Sequence, residues 1–461
     1  MTNLHTLTAS ELGPLYKHNH ISPVEVTKEI INRIEKVNPV INAYITTVPE
    51  VALAQAKKAE QEMISGNYKG PLHGIPIGIK DNFDTKGIRT TVGSKLLSEN
   101  IPSETAFTVK KLMDAGGIML GKLSMHEFGG GLTNTNPVYG HVRNPWNINH
   151  VPGGSSGGSG AALAAGMATL ATGTDTFGSI RVPASMCGVY GLKPTYGLIS
   201  TTGVAPLAWS LDHPGPMARS VSDLALMLQY MTGHDPEDPA SLKVPSPQYS
   251  QTLNQGIQGL KVGIPTAFLE GLDPEVSKLF NQAVNTLKNL GAEVKEIKIP
   301  ELSLASFASY VVTTGEASAY HYEWLQTKSE QYAPDVRIFF QAGAVTTSPQ
   351  YVRAQQIRRE LIKAIKNAFQ EVDVLVGPSV PITTPRFSEN WDEQNLEITR
   401  KSMPFTAPPA LSGIPSLAVP MGLCSCGVPV GMQFMGNHLS EQLLLQVASA
   451  WEQTDPLRVT M

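Results

Sequence analysis

The sequence predicts an α/β fold: one large domain in which helices cover both faces of a large β-sheet. Three observations carry this. Short apolar runs of strand type alternate with helical stretches along the whole 461-residue chain. No charged linker, low-complexity segment or internal repeat interrupts the alternation. Hydrophobic residues make up 41% of the chain, ample for a large core.

The elements follow in order. Ser22-Pro23-Val24-Glu25 combines a capping box with proline at the first helical position. The helix it opens is expected to run to about Val37, ahead of Asn38-Pro39. Pro49 opens a second helix, closed by Gly66, and together they give a helical N-terminal segment over about 1–65. Ile75, Ile77 and Ile79 alternate as in a strand, and Lys80 ends it. Glu104 to Ala115 reads as a helix that stops at Gly116-Gly117, and a short strand starts at Ile118. Phe128 to Asn136 is a Gly/Asn-rich loop. Two Gly/Ser-rich loops, 153–160 and 173–179, are expected to flank a helix of small residues. Val189 to Ser200 reads as strand, turn and strand around Lys193-Pro194, and Ser220 to Met231 as a helix. Strand Leu260–Ile264, helix Pro274–Leu290 and strand Ala292–Ile299 follow. Residues 302–369 are mainly helical, with strands then expected at Val372–Val376, Leu417–Val419 and Val428–Phe434 and a closing helix at Leu439–Trp451.

Composition excludes several classes of function. A net charge of −4 and a pI near 6.3 give no footprint for nucleic acid or an anionic membrane. Three cysteines, Cys187, Cys424 and Cys426, are too few for a disulfide framework and fit a reducing compartment. Cys424-Ser-Cys426 has the wrong spacing for a zinc knuckle, and His126-Glu127 continues as Phe-Gly-Gly rather than as a metalloprotease motif. No metal or other cofactor is therefore expected. The N-terminus lacks a signal pattern, and the longest apolar run, Ala161 to Ala171, is too short to span a bilayer. A cytoplasmic protein is the expectation.

The chemistry concentrates between Val151 and Tyr190. Serines in glycine-rich loops are small hydroxyls with nothing bulky to shield them, and glycine lets backbone turn or approach closely. Gly154-Ser155-Ser156-Gly157-Gly158 matches the nucleophile elbow of α/β hydrolases, but that motif needs a strand before it. The preceding Asn144 to Pro152 is polar and broken by proline. No phosphate-binding GxxxxGK[ST] string occurs. Taken alone, the stretch also fits a tight packing corner, and Lys80-Asp81 a solvated surface pair.

Four strings together resemble the amidase signature family. They are Gly74-Ile-Pro-Ile-Gly-Ile-Lys80-Asp81, Pro152-Gly-Gly-Ser155-Ser-Gly-Gly, Gly173-Thr-Asp-Thr-Phe-Gly-Ser179-Ile-Arg181 and Gly191-Leu-Lys-Pro-Thr-Tyr-Gly. The 24-residue spacing from Ser155 to Ser179 is similar too, as are Gly413-Ile-Pro-Ser-Leu-Ala-Val-Pro-Met-Gly and Gly427-Val-Pro-Val-Gly-Met-Gln-Phe-Met-Gly. The resemblance covers nearly the whole chain. It implies one amidase domain over 1–461 with a mixed, twisted sheet, a catalytic core over about 70–230 and a variable substrate-shaping region over about 300–410.

The resemblance implies an amidase that works through a serine acyl-enzyme, with Ser179 as nucleophile, Ser155 as relay and Lys80 as base. A Ser-Lys pair is a known variant of the Ser-His-Asp logic. A lysine acts as a base only when neutral, so burial must lower its pKa from about 10.4. The family's relay serine sits beside a cis peptide bond, here Gly154-Ser155. The oxyanion would meet the backbone N–H groups of Thr176, Phe177, Gly178 and Ser179. Phe177 stands where the commoner pattern has glycine, which loses freedom to adopt φ > 0 and puts a ring near the acyl group. Asp175 and Arg181 are expected to pin the loop, Ser156 to share its hydroxyl network, and Cys187 to be a small buried residue.

Three functions remain open on this reading. The first is a stand-alone amidase with a small-molecule amide substrate, no nucleic-acid or membrane partner, and a homodimer left open. The second is the A subunit of a tRNA-dependent glutamine amidotransferase, which passes ammonia to a partner. The third is an inactive binding protein on the same fold. Two stretches argue against glutamine. In Asp335 to Gly343 the subunit's arginine position falls near Ile338 or Phe339, and Arg400 to Pro415 holds no acid. His213-Pro also replaces the subunit's usual glutamine. Phe177, Ile338 and Phe339 would favour an apolar acyl group.

Overall fold

The N-terminal layer forms as its caps dictate. The computed structural model describes residues 3–454 and 457; residues 1–2, 455–456 and 458–461 of the expected 1–461 span lie outside the described residues. Helices α1 (Ala9–Lys17) and α2 (Pro23–Ile41) each start on a complete capping box, Thr8 with Glu11 and Ser22 with Glu25. α2 continues through Asn38-Pro39, beyond its expected end, and stops where Asn42 turns left-handed at φ 60°. Pro39 there forfeits only the backbone bond to the carbonyl of exposed Glu35. Strand β1 (Tyr44–Thr47), too short to read in the sequence, precedes α3 (Pro49–Ile64), which buries the alanines Ala52, Ala56 and Ala59.

The centre of the chain departs most from expectation. β2 (Pro76–Lys80), α4 (Phe107–Asp114) and β3 (Ile118–Leu123) come as read. α5 (Gly157–Ala164), however, begins inside the supposed first loop, and β4 (Leu170–Asp175) takes the end of the supposed small-residue helix. Close packing overrides the low helix propensity of glycine here. A Cβ on Gly158 would stand 2.3 Å from the Ser124 carbonyl oxygen, so no larger residue fits. After α6 (Arg181–Cys187) comes β5 (Tyr190–Lys193), one strand where two were expected. The chain leaves the sheet at Pro194, and the next strand is β6 (His213–Ala218). Its Pro214 and Pro216 hide it in the sequence. They are tolerated because β6 pairs with β4 along its length but with β5 only at Met217 and Ala218.

The remainder alternates as foreseen. α7 (Val221–Met231) is capped by the Ser220 side chain, and β7 (Lys261–Pro265), α8 (Pro274–Asn289) and β8 (Glu293–Ile297) follow. α9 (Ala305–Tyr320), α10 (Tyr322–Thr327), α11 (Pro334–Ala344) and α12 (Ser348–Ala368) fill the helical region before β9 (Val374–Pro378). α13 (Trp391–Ser412) was obscured by its internal Pro404, Pro408 and Pro409. β10 (Ser416–Leu423), β11 (Pro429–Gly436) and α14 (Glu441–Glu452) close the fold. Cys424 and Cys426, in the hairpin between β10 and β11, are joined as a disulfide rather than held as thiols. Cys187 is free and buried.

One eleven-stranded sheet results, in the order β1-β3-β2-β4-β6-β5-β10-β11-β9-β7-β8. It is mixed. β2 runs parallel to β3 and β4, β7 runs parallel to β8 and β9, and the other pairs are antiparallel. Because β2 and β4 are parallel, their last residues, Lys80 and Asp175, emerge at the same edge of the sheet. Ligands in open α/β sheets meet that kind of edge. A separate apolar cluster gathers Phe128, Phe177, Leu207, Val336, Phe339 and Met403. No helix of the described residues is long and apolar enough to cross a membrane.

Candidate active site

Strand geometry delivers Lys80 to the site. Its backbone N–H donates to Thr172 Oγ1 on β4 at 2.8 Å. Its Nζ donates to Ser155 Oγ at 2.8 Å and to Thr174 Oγ1 at 2.7 Å. The side chain is wholly buried. Burial lowers its pKa from 10.5 to about 7, although Asp175 and Asp212 pull it back up. Lys80-Asp81 is therefore not a surface pair, since both residues are buried.

Ser155 stands just before α5, and its peptide bond with Gly154 is cis. Its carbonyl accepts from the His126 N–H at 3.1 Å. Ser156 ties this turn to both neighbours. Its N–H donates to the Ser179 carbonyl at 3.2 Å, while its hydroxyl donates to the Thr174 carbonyl and accepts from the Thr174 N–H, both at 3.3 Å. Ser179 is buried, and its Oγ has no hydrogen-bond partner among the described residues.

The loop from Asp175 to Arg181 is pinned as its residue types suggest. Asp175 accepts from the N–H of Gly178 at 2.7 Å and of Ile180 at 3.1 Å. It also takes both Nε and an Nη of Arg181, at 3.0 and 2.9 Å. Burial alone would raise the Asp175 carboxyl, but the Arg181 guanidinium overrides it and holds the group far below the usual carboxylate range. Arg181 directs its remaining donors to the Thr406 carbonyl and Gln433 Oε1, both at 2.8 Å. Of the four expected oxyanion donors, the Gly178 N–H is thus committed to Asp175, whereas the backbone N–H groups of Thr176, Phe177 and Ser179 donate to no described group. The left-handed residue of the loop is Gly178, at φ +136°, and Phe177 is spared it. The loop therefore tolerates a side chain at 177.

The Phe177 ring is buried, 6.1 Å from the ring of Phe339. Phe339 meets Tyr310 of α9 edge-on at 5.6 Å. Ile338 is 52% exposed and contributes nothing to this wall. Residues not singled out in the sequence complete the site. Thr174 is a second acceptor for Lys80. Asp212 accepts from Thr176 Oγ1 at 2.5 Å. His126 pairs with Asp335 at 3.0 Å, and Asn395 donates to the same carboxylate at 2.8 Å, which binds α11 and α13 to the turn holding Ser155. A polar residue at a strand end is the only local signal for Thr174; the others meet across 36 to 209 residues of chain and leave none. Among the described residues, no three His, Cys, Asp or Glu side chains gather as a metal site.

A buried lysine, two loop serines and a pinned Gly-rich turn meet at one edge of a mixed sheet, in an α/β enzyme that, by its family match, acts on amide C–N bonds. The chain belongs to the amidase signature family, whose model, Amidase, matches residues 25–445. The A subunit of glutamyl-tRNA(Gln) amidotransferase from Geobacter sp. (strain M21) is 40% identical over 97% of this chain and 96% of its own length. Its namesake from Picosynechococcus sp. (strain ATCC 27264 / PCC 7002 / PR-6) is 42% identical over 94% of each chain. Among solved structures, one reported as a vestigial protein complex that reveals the evolutionary origins of an s-triazine catabolic enzyme superposes with a TM-score of 0.93. It is 33% identical and covers 99% of this chain and all of its own. The native peptide amidase from Stenotrophomonas maltophilia has a TM-score of 0.84 and 31% identity, over 97% of this chain and 96% of its own.

Proposed function

We propose that the protein hydrolyses a carboxylic amide through an acyl-enzyme on Ser179. Neutral Lys80 draws the proton of Ser179 through Ser155, and the same path returns it to the departing ammonia or amine. The observation that carries this reading is the 2.8 Å bond from a buried, pKa-lowered Lys80 Nζ to Ser155 Oγ. The free N–H groups of Thr176, Phe177 and Ser179 would stabilise the oxyanion.

Two substrates fit, each on its own support. The sequence relatives favour the amidotransferase reading, in which the amide is that of glutamine and ammonia goes to a partner. Their names carry a tRNA, which runs against the expectation of no nucleic-acid partner. The wall of Phe177, Phe339 and Tyr310 favours an uncharged amide with an apolar acyl group. The deciding experiment measures ammonia release by the purified chain over glutamine and a panel of uncharged aliphatic and aryl amides. It is repeated with charged tRNA and a B-type partner subunit. Preference for an uncharged amide supports the pocket reading; glutamine preference, or activity only with partner and tRNA, supports the amidotransferase reading. No release in any arm would remove the proposal.

A further inference from the structure

Asp212 is a buried carboxylate outside the proton path. It is 7% exposed and lies in the turn just before β6. Its oxygens accept from Thr176 Oγ1 at 2.5 Å, Leu207 N–H at 2.8 Å and Ala208 N–H at 3.1 and 3.2 Å. These three donors offset its burial only in part, and no cation pairs with it among the described residues. A buried, unpaired carboxylate beside a reactive centre calls for a role.

Its partners all belong to the surroundings of the serines. Thr176 opens the loop that ends on Ser179 and carries one of the free N–H groups. Leu207 packs against Gly129, and a Cβ built on Gly129 would stand 3.5 Å from Leu207 and 3.7 Å from Ser155 Oγ. The same turn is clamped from the helical side. Glu316 of α9 accepts from the Ser210 N–H and hydroxyl at 3.0 and 2.6 Å, and Arg358 of α12 donates to the Ser210 carbonyl at 2.9 Å.

We infer that Asp212 is a positioning residue for amide hydrolysis: its carboxylate locks Thr176 to the Leu207–Ala208 turn beside Ser155. The inference rests on the reading of Ser179 and Lys80 given above. The charges around the pair are few. Asp175 and Asp212 act on Lys80, against the burial that lowers it. Asp175 is paired with Arg181 of α6 and feels Lys193 of β5. His213, next to Asp212, donates through Nδ1 toward the Asp175 and Leu211 carbonyls. Glu316 acts on Asp212, whose carboxyl burial pushes up to about 6. An anion lost from this set leaves the ammonium form of Lys80 less favoured.

The test is Asp212→Asn in the full chain, on an amide that the wild type cleaves. The turnover number should fall about tenfold to a hundredfold, as for a slightly misplaced oxyanion loop, with KM changing far less. The pH at which activity rises should move lower. Thr176→Val deletes one partner of the carboxylate and no charge; it should lower turnover and leave that pH in place. Wild-type turnover in Asp212→Asn, or reduced turnover with an unmoved pH profile, overturns the inference. Should thermal melting show that Asp212→Asn does not fold, wild-type turnover in Thr176→Val overturns it instead, and reduced turnover sustains it. Activity surviving in Ser179→Ala would sink the reading of the site itself; an inactive Ser179→Ala beside an unchanged Asp212→Asn removes the role of Asp212 alone.

Discussion

Lys80 Nζ sits 2.8 Å from Ser155 Oγ and forms no ion pair with any described carboxylate. Its other partner is also a neutral hydroxyl, that of Thr174. A lysine so placed bears the cost of burial without a counter-ion, which makes its neutral form accessible near pH 7.

The pH dependence of activity follows from that relationship. On the proposed mechanism the active form is neutral Lys80, so kcat/KM should climb as pH rises through about 7 and level off above it. An unperturbed lysine would keep activity climbing toward about pH 10.4. Lys80→Arg should be inactive across the range, because guanidinium does not release its proton. A profile flat from pH 5 to 9, with Lys80→Arg near wild type, would show that Lys80 is not the base.

Ser179→Ala should lower turnover by about a thousandfold or more while the thermal melt stays near wild type. The Ser179 hydroxyl makes no hydrogen bond whose loss would unsettle the fold. A serine-directed phosphonate should label the wild type and spare the variant. Ser155→Ala should cost less, since water can replace a relay but not a nucleophile.

Asp175→Asn should destabilise the protein by about 3–5 kcal/mol, read as a lower urea midpoint, because it leaves the Arg181 guanidinium buried without its charge partner. Arg181→Lys should also fail to support activity. An ammonium cannot span Asp175, Gln433 and the Thr406 carbonyl as the planar guanidinium does. Wild-type stability in both variants would remove the pinning role.

Phe339→Leu should raise KM for aryl amides several-fold and leave kcat within a few-fold. Phe339 packs on Phe177 and takes no part in the Lys80–Ser155 bond, so its ring is expected to contribute binding common to ground and transition states. Equal kinetics on aryl and small aliphatic amides in wild type and variant would show that this ring does not meet substrate.

Local chemistry in the sequence determined much of this protein. The capping boxes at Ser22 and the proline at Pro49 placed helices, the alternation of Ile75, Ile77 and Ile79 placed β2, and glycine and serine marked the loops of the site. Such signals act over a few residues of chain, so they survive in one dimension. Tertiary structure alone decided the rest. It made a strand of His213 to Ala218 despite two prolines, through pairing with β4, and carried α13 through three more. It turned Ile338 outward and Phe339 inward on one helix, and it put the positive φ on Gly178 rather than on Phe177. It brought Asp212 to Thr176 and Asp335 to His126. The physical reason is that burial and hydrogen-bond pairing depend on neighbours distant in the chain. Those same neighbours, more than the lysine itself, leave Lys80 able to give up its proton near neutral pH.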